Sequence, residues 1–377
     1  MTPFFQVQAV GDAWRAQCEQ ALTERRLPLT GEGLGFVYLT DALAAQAGEI
    51  LAYLQENTGV RHWVGSIASG VISSTAETYD GPALSLLITD LRDNQFRLLP
   101  TVSDNSGVSL APHRPWIDAS GCAVAVVHGD PRQPRIGQLI GQLSQGLNGG
   151  FLVGGLSSGD QADPLQIADG PTDGGISGVM LSGDVPIATG VTQGCSLFGN
   201  RHEITRSEGS VIMQLDERPA LDVFFEELGP GLANELNRVA GRIFAALPVP
   251  GSDTGDYLVR NLIGFDPERR LLAVGDNLRQ GMHLQFARRD QETAREDLVL
   301  TARRVRGRIR GTPRGALYFS CLGRGRNLFG ENSAELRLLQ RELGSVPLAG
   351  FYANGEISHN RLYGYTGVIA VFGDPAA

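Results

Sequence analysis

No lysine occurs anywhere in this chain; every one of its 32 basic residues is arginine. That excludes mechanisms that need a primary amine: a phosphate-loop lysine, a Schiff base, a Ser-Lys dyad. Cysteine is nearly as scarce. Cys18, Cys122, Cys195 and Cys321 lie far apart with no paired spacing, and Cys122 and Cys321 fall inside apolar runs, so they read as small buried hydrophobes rather than ligands or bridges. The six histidines (His62, His113, His128, His202, His283, His359) show no short metal-binding spacing, and neither Cys-x-x-Cys nor His-Glu-x-x-His occurs. No metal site is expected. No run approaches the roughly 20 apolar residues that cross a bilayer, and the start, Met1-Thr-Pro-Phe-Phe, lacks a basic region followed by an apolar core. A cytoplasmic protein with no membrane partner is the expectation. A catalytic signature is missing too: Ser157, Ser158 and Ser320 become nucleophiles only if a base is assumed beside them.

What is present is ordinary globular material. The 377 residues are 42% hydrophobic and 19% charged, enough for two domains with real cores. A net charge of −9 argues against a nucleic-acid backbone as the main partner. The local run Arg303, Arg304, Arg306, Arg308 and Arg310 reads as a solvated basic face balanced by Glu292, Glu296 and Asp297.

One pattern recurs three times: Gly65-Ser-Ile-Ala-Ser69-Gly70, Gly154-Gly-Leu-Ser157-Ser158-Gly159-Asp160 and Gly350-Phe-Tyr-Ala-Asn354-Gly355-Glu356. Each copy follows an apolar run (from Gly35, Cys122 and Ala316), a polar loop and an amphipathic segment closed by Gly59, Gly149 or Gly344. From run to glycine loop the distances are 65 − 35 = 30, 154 − 122 = 32 and 350 − 316 = 34 residues. Near-equal spacing predicts one supersecondary unit used three times. Within it, Leu43, Ala47, Ile50, Leu51 and Leu54, then Ile136, Leu139, Ile140, Leu143 and Leu147, then Leu336, Leu339 and Leu343, mark helical stripes. Further apolar runs follow each glycine loop at Ala83 to Leu87, Ile176 to Leu181 and Val368 to Phe372. The unit reads strand, helix, strand, glycine turn, strand. A glycine turn at a strand end lets a ligand approach the backbone; it also serves simply as a tight turn. Both readings stand at this level.

Residues 1–31 read as a polar amphipathic helix leading the first domain. Stripes at Leu221, Phe224, Phe225 and Leu228, and at Leu236, Val239, Ile243 and Phe244, predict two helices broken at Gly229-Pro230-Gly231, with Pro248 to Gly255 as a loop. Leu258 to Phe265, Leu271 to Val274 and His283 to Phe286 predict strands, followed by an arginine-rich helix from near Asp290. The fold class is α/β, mixed sheets flanked by helices, in two domains, 1–217 and 218–377.

Arg324, Arg326, Asn354, Gly355, Glu356 and His359 form the most suggestive set, with Ser157, Ser158 and Asp160 in the first domain. If strands 316–322 and 346–351 share a sheet, their loops leave from related ends, as ligand loops of open α/β sheets do. An arginine for a carboxylate and a glutamate for an ammonium suit an amino acid or similar zwitterion. An internal Arg324 to Glu356 ion pair is the competing reading.

Gly315-Ala-Leu-Tyr-Phe-Ser-Cys-Leu-Gly-Arg-Gly-Arg, then Pro347-Leu-Ala-Gly-Phe-Tyr-Ala-Asn-Gly-Glu-Ile-Ser and Tyr365-Thr-Gly-Val-Ile-Ala-Val-Phe, resemble the end of the C-terminal FIST domain. Ile263-Gly-Phe-Asp to Gly281-Met-His-Leu-Gln-Phe-Ala-Arg-Arg-Asp is similar to its middle, and Gly154-Gly-Leu-Ser-Ser-Gly-Asp resembles the paired N-terminal FIST domain. The resemblance implies an intracellular sensory module for a small ligand, with amino acids proposed, usually attached to an output domain. No output domain is visible here, so it implies a sensor that signals through a partner protein. Some family members bind haem and sense nitric oxide, which would require an axial ligand such as His128, His202 or His359. An enzyme or an interaction scaffold on the same fold are the alternatives.

Overall fold

Each apolar run is the first of two parallel strands. Leu34–Thr40 pairs in parallel with His62–Ala68, Val124–Gly129 with Phe151–Leu156, and Gly315–Cys321 with Leu348–Ala353. A parallel pair needs a crossover, because the chain must return to the end it started from. The expected amphipathic helices supply it: Ala47–Thr58, Ile136–Gly146 and Ala334–Leu343. Gly59 and Gly344 end the first and third in the left-handed conformation, at φ 70° and 91°, where a Cβ would be strained. The third strand of each repeat (Ala83–Ile88, Ile176–Leu181, Gly367–Phe372) returns antiparallel beside the first. An edge strand completes that side: Phe5–Val10, Phe96–Val102 and Ile187–Thr192. The computed structural model describes residues 4–25, 33–103, 110–159, 166–229, 241–249 and 257–374.

A short hairpin between the glycine turn and the third strand is absent from the sequence-level unit. It spans Gly70–Ile72 with Glu77–Tyr79 in the first repeat, Gln166–Ala168 with Pro171–Thr172 in the second, and Glu356–His359 with Arg361–Tyr363 in the third. None stays in its own sheet. The first repeat's hairpin pairs with Leu348–Ala353 of the third, the third's with Phe151–Leu156 of the second, and the second's with His62–Ala68 of the first. The exchange is cyclic and yields three six-stranded sheets.

Register explains the first glycine of each copy. Gly65 sits between Val37 and Ile167, Gly154 between Val127 and Ile357, and Gly350 between Tyr318 and Ile72. A Cβ on these glycines would lie 1.6, 1.8 and 1.8 Å from the carbonyl oxygens of Val37, Val127 and Tyr318. Backbone meets backbone there, so glycine is required by packing without any ligand.

Strand residues alternate between two buried faces. Phe36, Tyr38, Val126, Val153, Phe319 and Phe351 enter a core shared by all three sheets. Val37 and Leu39 face Ile50, Leu51 and Leu54 of the first helix, and Ala125 and Val127 face Leu139, Ile140 and Leu143 of the second. Thr301 and Val305, on helix Gln291–Arg308, cover the third sheet at Gly190.

By contacts the chain forms two units, Met1–Gln193 with Arg295–Ala377, and Gly194–Ala294. The sequence-level boundary at 217/218 falls inside the second. That unit is an antiparallel sheet closed on itself, because Cys195–Glu208 pairs with both His283–Arg289 and Val211–Leu215. Helix Ala220–Leu228 buries Leu221 and Phe224 against Phe286 and Leu272, as its stripe predicts.

Two local readings are corrected. The leading segment opens with strand Phe5–Val10 before helix Trp14–Arg25, because Phe5, Val7 and Ala9 alternate with Gln6 and Gln8 at period two. Ile243 and Phe244 begin strand Ile243–Pro248, a continuous apolar run, rather than ending a helical stripe; Leu236 and Val239 lie outside the described residues. The strands expected between 258 and 286 form as Tyr257–Asp266, Leu271–Val274 and His283–Arg289.

Candidate functional site

Threefold equivalence places Tyr38, His128 and Phe319 in one layer of the shared core, each one residue beyond the strand position facing the required glycine. Their ring centroids are 5.6, 6.1 and 6.2 Å apart, with Phe351 5.2 Å from Tyr38. His128 Nε2 lies 3.3 Å from the Tyr38 hydroxyl, and its Nδ1 has no hydrogen-bond partner among the described residues. Burial pushes its pKa down to about 3, so the imidazole is neutral.

Directly beyond this layer the exchanged hairpins enter the neighbouring sheets. Ser66 and Ser157 share a hydrogen bond of 2.7 Å between hydroxyls, both fully buried. Ser158 donates to the carbonyl of Tyr352, and Asn354 donates its backbone N–H to the Leu156 carbonyl at 3.0 Å. Here Ser157, Ser158, Asn354 and Gly355 come together. Asp160 lies outside the described residues.

Glu356 follows at once. It pairs with Gly155, the neighbour of His128, and is fully buried. Oε2 accepts the Thr366 backbone N–H at 3.0 Å and its hydroxyl at 2.7 Å; Oε1 has no hydrogen-bond partner among the described residues. Burial pushes the carboxyl up to about 8, against the Thr366 hydrogen bonds, the charge of Arg324 and the neighbouring Cys321 thiol, a weak donor whose contact falls short of a full hydrogen bond to Oε1. It is therefore largely a neutral acid at pH 7. Counting along the sequence matches Glu356 with Asp160; register matches it with Val71 and Gln166, opposite Phe351 and Ser66. Gln166 is also fully buried and satisfied, donating to the Gly175 carbonyl at 2.7 Å and accepting from Ser177 at 3.1 Å.

Arg324 and Glu356 do not form an ion pair. The Arg324 side chain is sealed from solvent and donates to Glu335 at 2.8 Å and to the Gln193 carbonyl at 3.2 Å, with Phe329 5.0 Å from its guanidinium. Glu335 also accepts from Tyr318 at 2.7 Å, from Ser320 at 3.2 Å and from the Gly325 N–H at 2.8 Å. Every partner in this buried set is satisfied, which a buried pair needs if attraction is to offset desolvation. Sequence reasoning missed Glu335, because its spacing from Arg324 crosses a helix start. Arg326 is exposed, 2.8 Å from Asp80 and 4.3 Å from the Tyr79 ring. Tyr79 stacks on Tyr352 at 4.8 Å, and both hydroxyls donate to Glu77, whose carboxyl burial pushes up. A Cβ at Gly325 would strike this cluster, 2.1 Å from the Tyr79 hydroxyl.

His359 lies apart, three residues along its strand, exposed and stacked on Phe151 at 4.9 Å. Of the three histidines named for a haem axial role, His128 is enclosed by rings, His202 has Asp216 on Nδ1 at 2.6 Å and Glu227 on Nε2 at 3.1 Å, and His359 is exposed against Phe151. Among the described residues no three acidic, histidine or cysteine side chains cluster as metal ligands, and no helix is long and apolar enough to cross a membrane.

The sequence model of the FIST N domain matches residues 33–218 and that of the FIST C domain residues 220–359. An uncharacterized protein of Mycobacterium tuberculosis is 31% identical over 343 residues, 87% of this chain and 88% of its own length. One of Mycobacterium bovis is 31% identical over 382 residues, 96% of each chain. A crystal structure of cyanuric acid hydrolase from A. caulinodans spans the full chain at 9% identity, with a TM-score of 0.37 that is too low to carry weight.

Proposed function

This chain belongs to the FIST family, an N domain followed by a C domain, and on that premise we propose that it senses a small metabolite of the amino-acid class where the third repeat's hairpin, at Glu356, enters the second repeat's sheet. FIST domains are small-ligand sensory domains of signalling proteins. One observation carries the finer reading: Glu356 holds a carboxyl oxygen without a hydrogen-bond partner beneath the exposed Asn354 and half-exposed Gly355. A buried polar atom left unpaired costs free energy that a ligand group can recover. An ammonium brought to Oε1 would ionise the acid and be held by it, while Asn354 offers its carboxamide to the ligand's other end. Arg324 braces the loop through Glu335 rather than offering a free fork.

Because the carboxyl is buried, binding selects an arrangement in which the turn has moved aside, and a protein partner in the cytoplasm reads that shift. We read the protein as non-catalytic. In support, Ser66 is paired with Ser157, Ser158 with a carbonyl and His128 with Tyr38, while the carboxylate beside Ser320, Glu335, is held by Arg324; Ser358 lies 3.1 Å from Nδ1 of the exposed His359.

The test is calorimetric titration with a panel of amino acids at two pH values. With a carboxyl that titrates at about 8, roughly one molecule in eleven is ionised at pH 7 and one in two at pH 8. Affinity for an ammonium ligand should therefore rise about fivefold over that unit, with proton release. A panel that does not bind, or binding that is independent of pH and intact in Glu356→Gln, sinks the reading.

A further inference from the structure

A second site lies on the seam where the first repeat's hairpin enters the third repeat's sheet. A cleft of about 700 Å³ opens there, within the size range of small-molecule sites. Three elements build it. The edge strand Phe5–Val10 contributes Gln6, the turn of the exchanged hairpin contributes Thr75, and the third repeat contributes Arg337, Arg341, Val346 and Pro347. Arg337 and Arg341 are four apart on helix Ala334–Leu343, so they project from one face.

The lining is one-sided in its chemistry: it contains no aspartate or glutamate. Arg341 shares Glu342 at 3.0 Å, but Glu342 is also held by Arg303 at 2.7 Å, and Arg337 donates one N–H to the Asn332 carbonyl. Each guanidinium has five N–H donors, so both keep donors free for an anion. Gln6 adds another. Its Oε1 accepts from Ser74 at 3.3 Å, while its buried Nε2 has no hydrogen-bond partner among the described residues. Ser74 in turn accepts the Leu348 N–H at 2.9 Å. The half-buried Pro347 and buried Val346 give an apolar surface beside these donors.

We propose that this cleft binds a small organic anion, a carboxylate or phosphate monoester head between Arg337, Arg341 and the Gln6 amide, with its apolar body on Val346 and Pro347. Such a ligand bridges the exchanged hairpin and the helix that flanks it, so occupancy tightens the first repeat onto the third. Glu356 is not among the residues that line this cleft, and the proposal does not depend on the reading of that carboxyl.

Titration calorimetry with benzoate, phenyl phosphate and neutral benzamide tests this. Benzoate, phenyl phosphate or both should bind saturably and benzamide should not; which of the two binds identifies the head group. Arg337→Gln and Arg341→Gln, both at exposed side chains, should each weaken binding by about tenfold or more with an unchanged unfolding midpoint. Gln6→Glu keeps the acceptor for Ser74 and replaces the donor with a carboxylate, and should abolish binding. Equal binding of benzamide, no binding of either anion up to about 10 mM, or binding untouched by the arginine variants overturns the proposal.

Discussion

Replacing Glu356 by glutamine should remove a pH-dependent loss of stability from this protein. The carboxyl titrates at about 8 in the folded chain against an ordinary 4.5. Between those values the folded state holds one more proton than the unfolded state. The group's contribution is therefore complete below about pH 4.5 and is lost as the pH rises through 8. The separation, 8 − 4.5 = 3.5 units, is at most about 5 kcal/mol, of which about 3 kcal/mol is already lost at pH 7. Glutamine keeps an oxygen for the two Thr366 donors, places its N–H₂ where the protonated oxygen stood, and never ionises. The second repeat already carries a buried glutamine, Gln166, at the equivalent position. Urea unfolding from pH 5 to 8.5 measures the effect. Tryptophan emission is the right probe, because Trp14, Trp63 and Trp116 all lie in the unit that holds Glu356. Wild type and variant should differ by no more than about 1 kcal/mol at pH 5, and the variant should be the more stable by about 3 kcal/mol at pH 7. Other titrating groups cancel in the difference. A gap that does not change with pH would refute the assignment of a protonated acid at this position.

Further outcomes follow from packing and charge. Gly350→Ala puts a methyl 1.8 Å from a carbonyl oxygen and should cost more than about 4 kcal/mol in urea unfolding; Gly137→Ala, on an open helix face, should gain about 0.5–1 kcal/mol. Glu335→Gln leaves Arg324 buried without its counter-charge and should cost about 3–5 kcal/mol in urea unfolding. His128 should show no proton-shift change by nuclear magnetic resonance between pH 5 and 8, since burial holds its pKa near 3. His128→Phe, matching the equivalent Phe319, should alter stability by less than about 1.5 kcal/mol.

Much of the local architecture was readable in advance because it depends on neighbours in the chain. Helical stripes such as Ile136, Leu139, Ile140 and Leu143 formed where their spacing placed them, since a 3.6-residue period needs only one buried face. Each of the three glycine copies lies on the second strand of a parallel pair. The candidate site was less legible. Arg324 and Glu356 were both picked out, but their partners are Glu335 and Thr366, residues whose distance along the chain carries no signal. The equivalence of Glu356 with Gln166 rather than Asp160 was hidden in the same way, because strand register and not sequence counting aligns the repeats.

By itself the sequence determined the strand, helix, strand order around each glycine copy and the buried face of each of those helices, set by hydrophobic periodicity. Only the tertiary structure decided that each hairpin leaves its own sheet for its neighbour's. Strand pairing is made through backbone hydrogen bonds that every residue offers, so the choice of partner is fixed by closure of the three-sheet ring. That same closure buries Glu356 beside Gly155 and turns an ordinary surface-type residue into a neutral acid with one oxygen unclaimed.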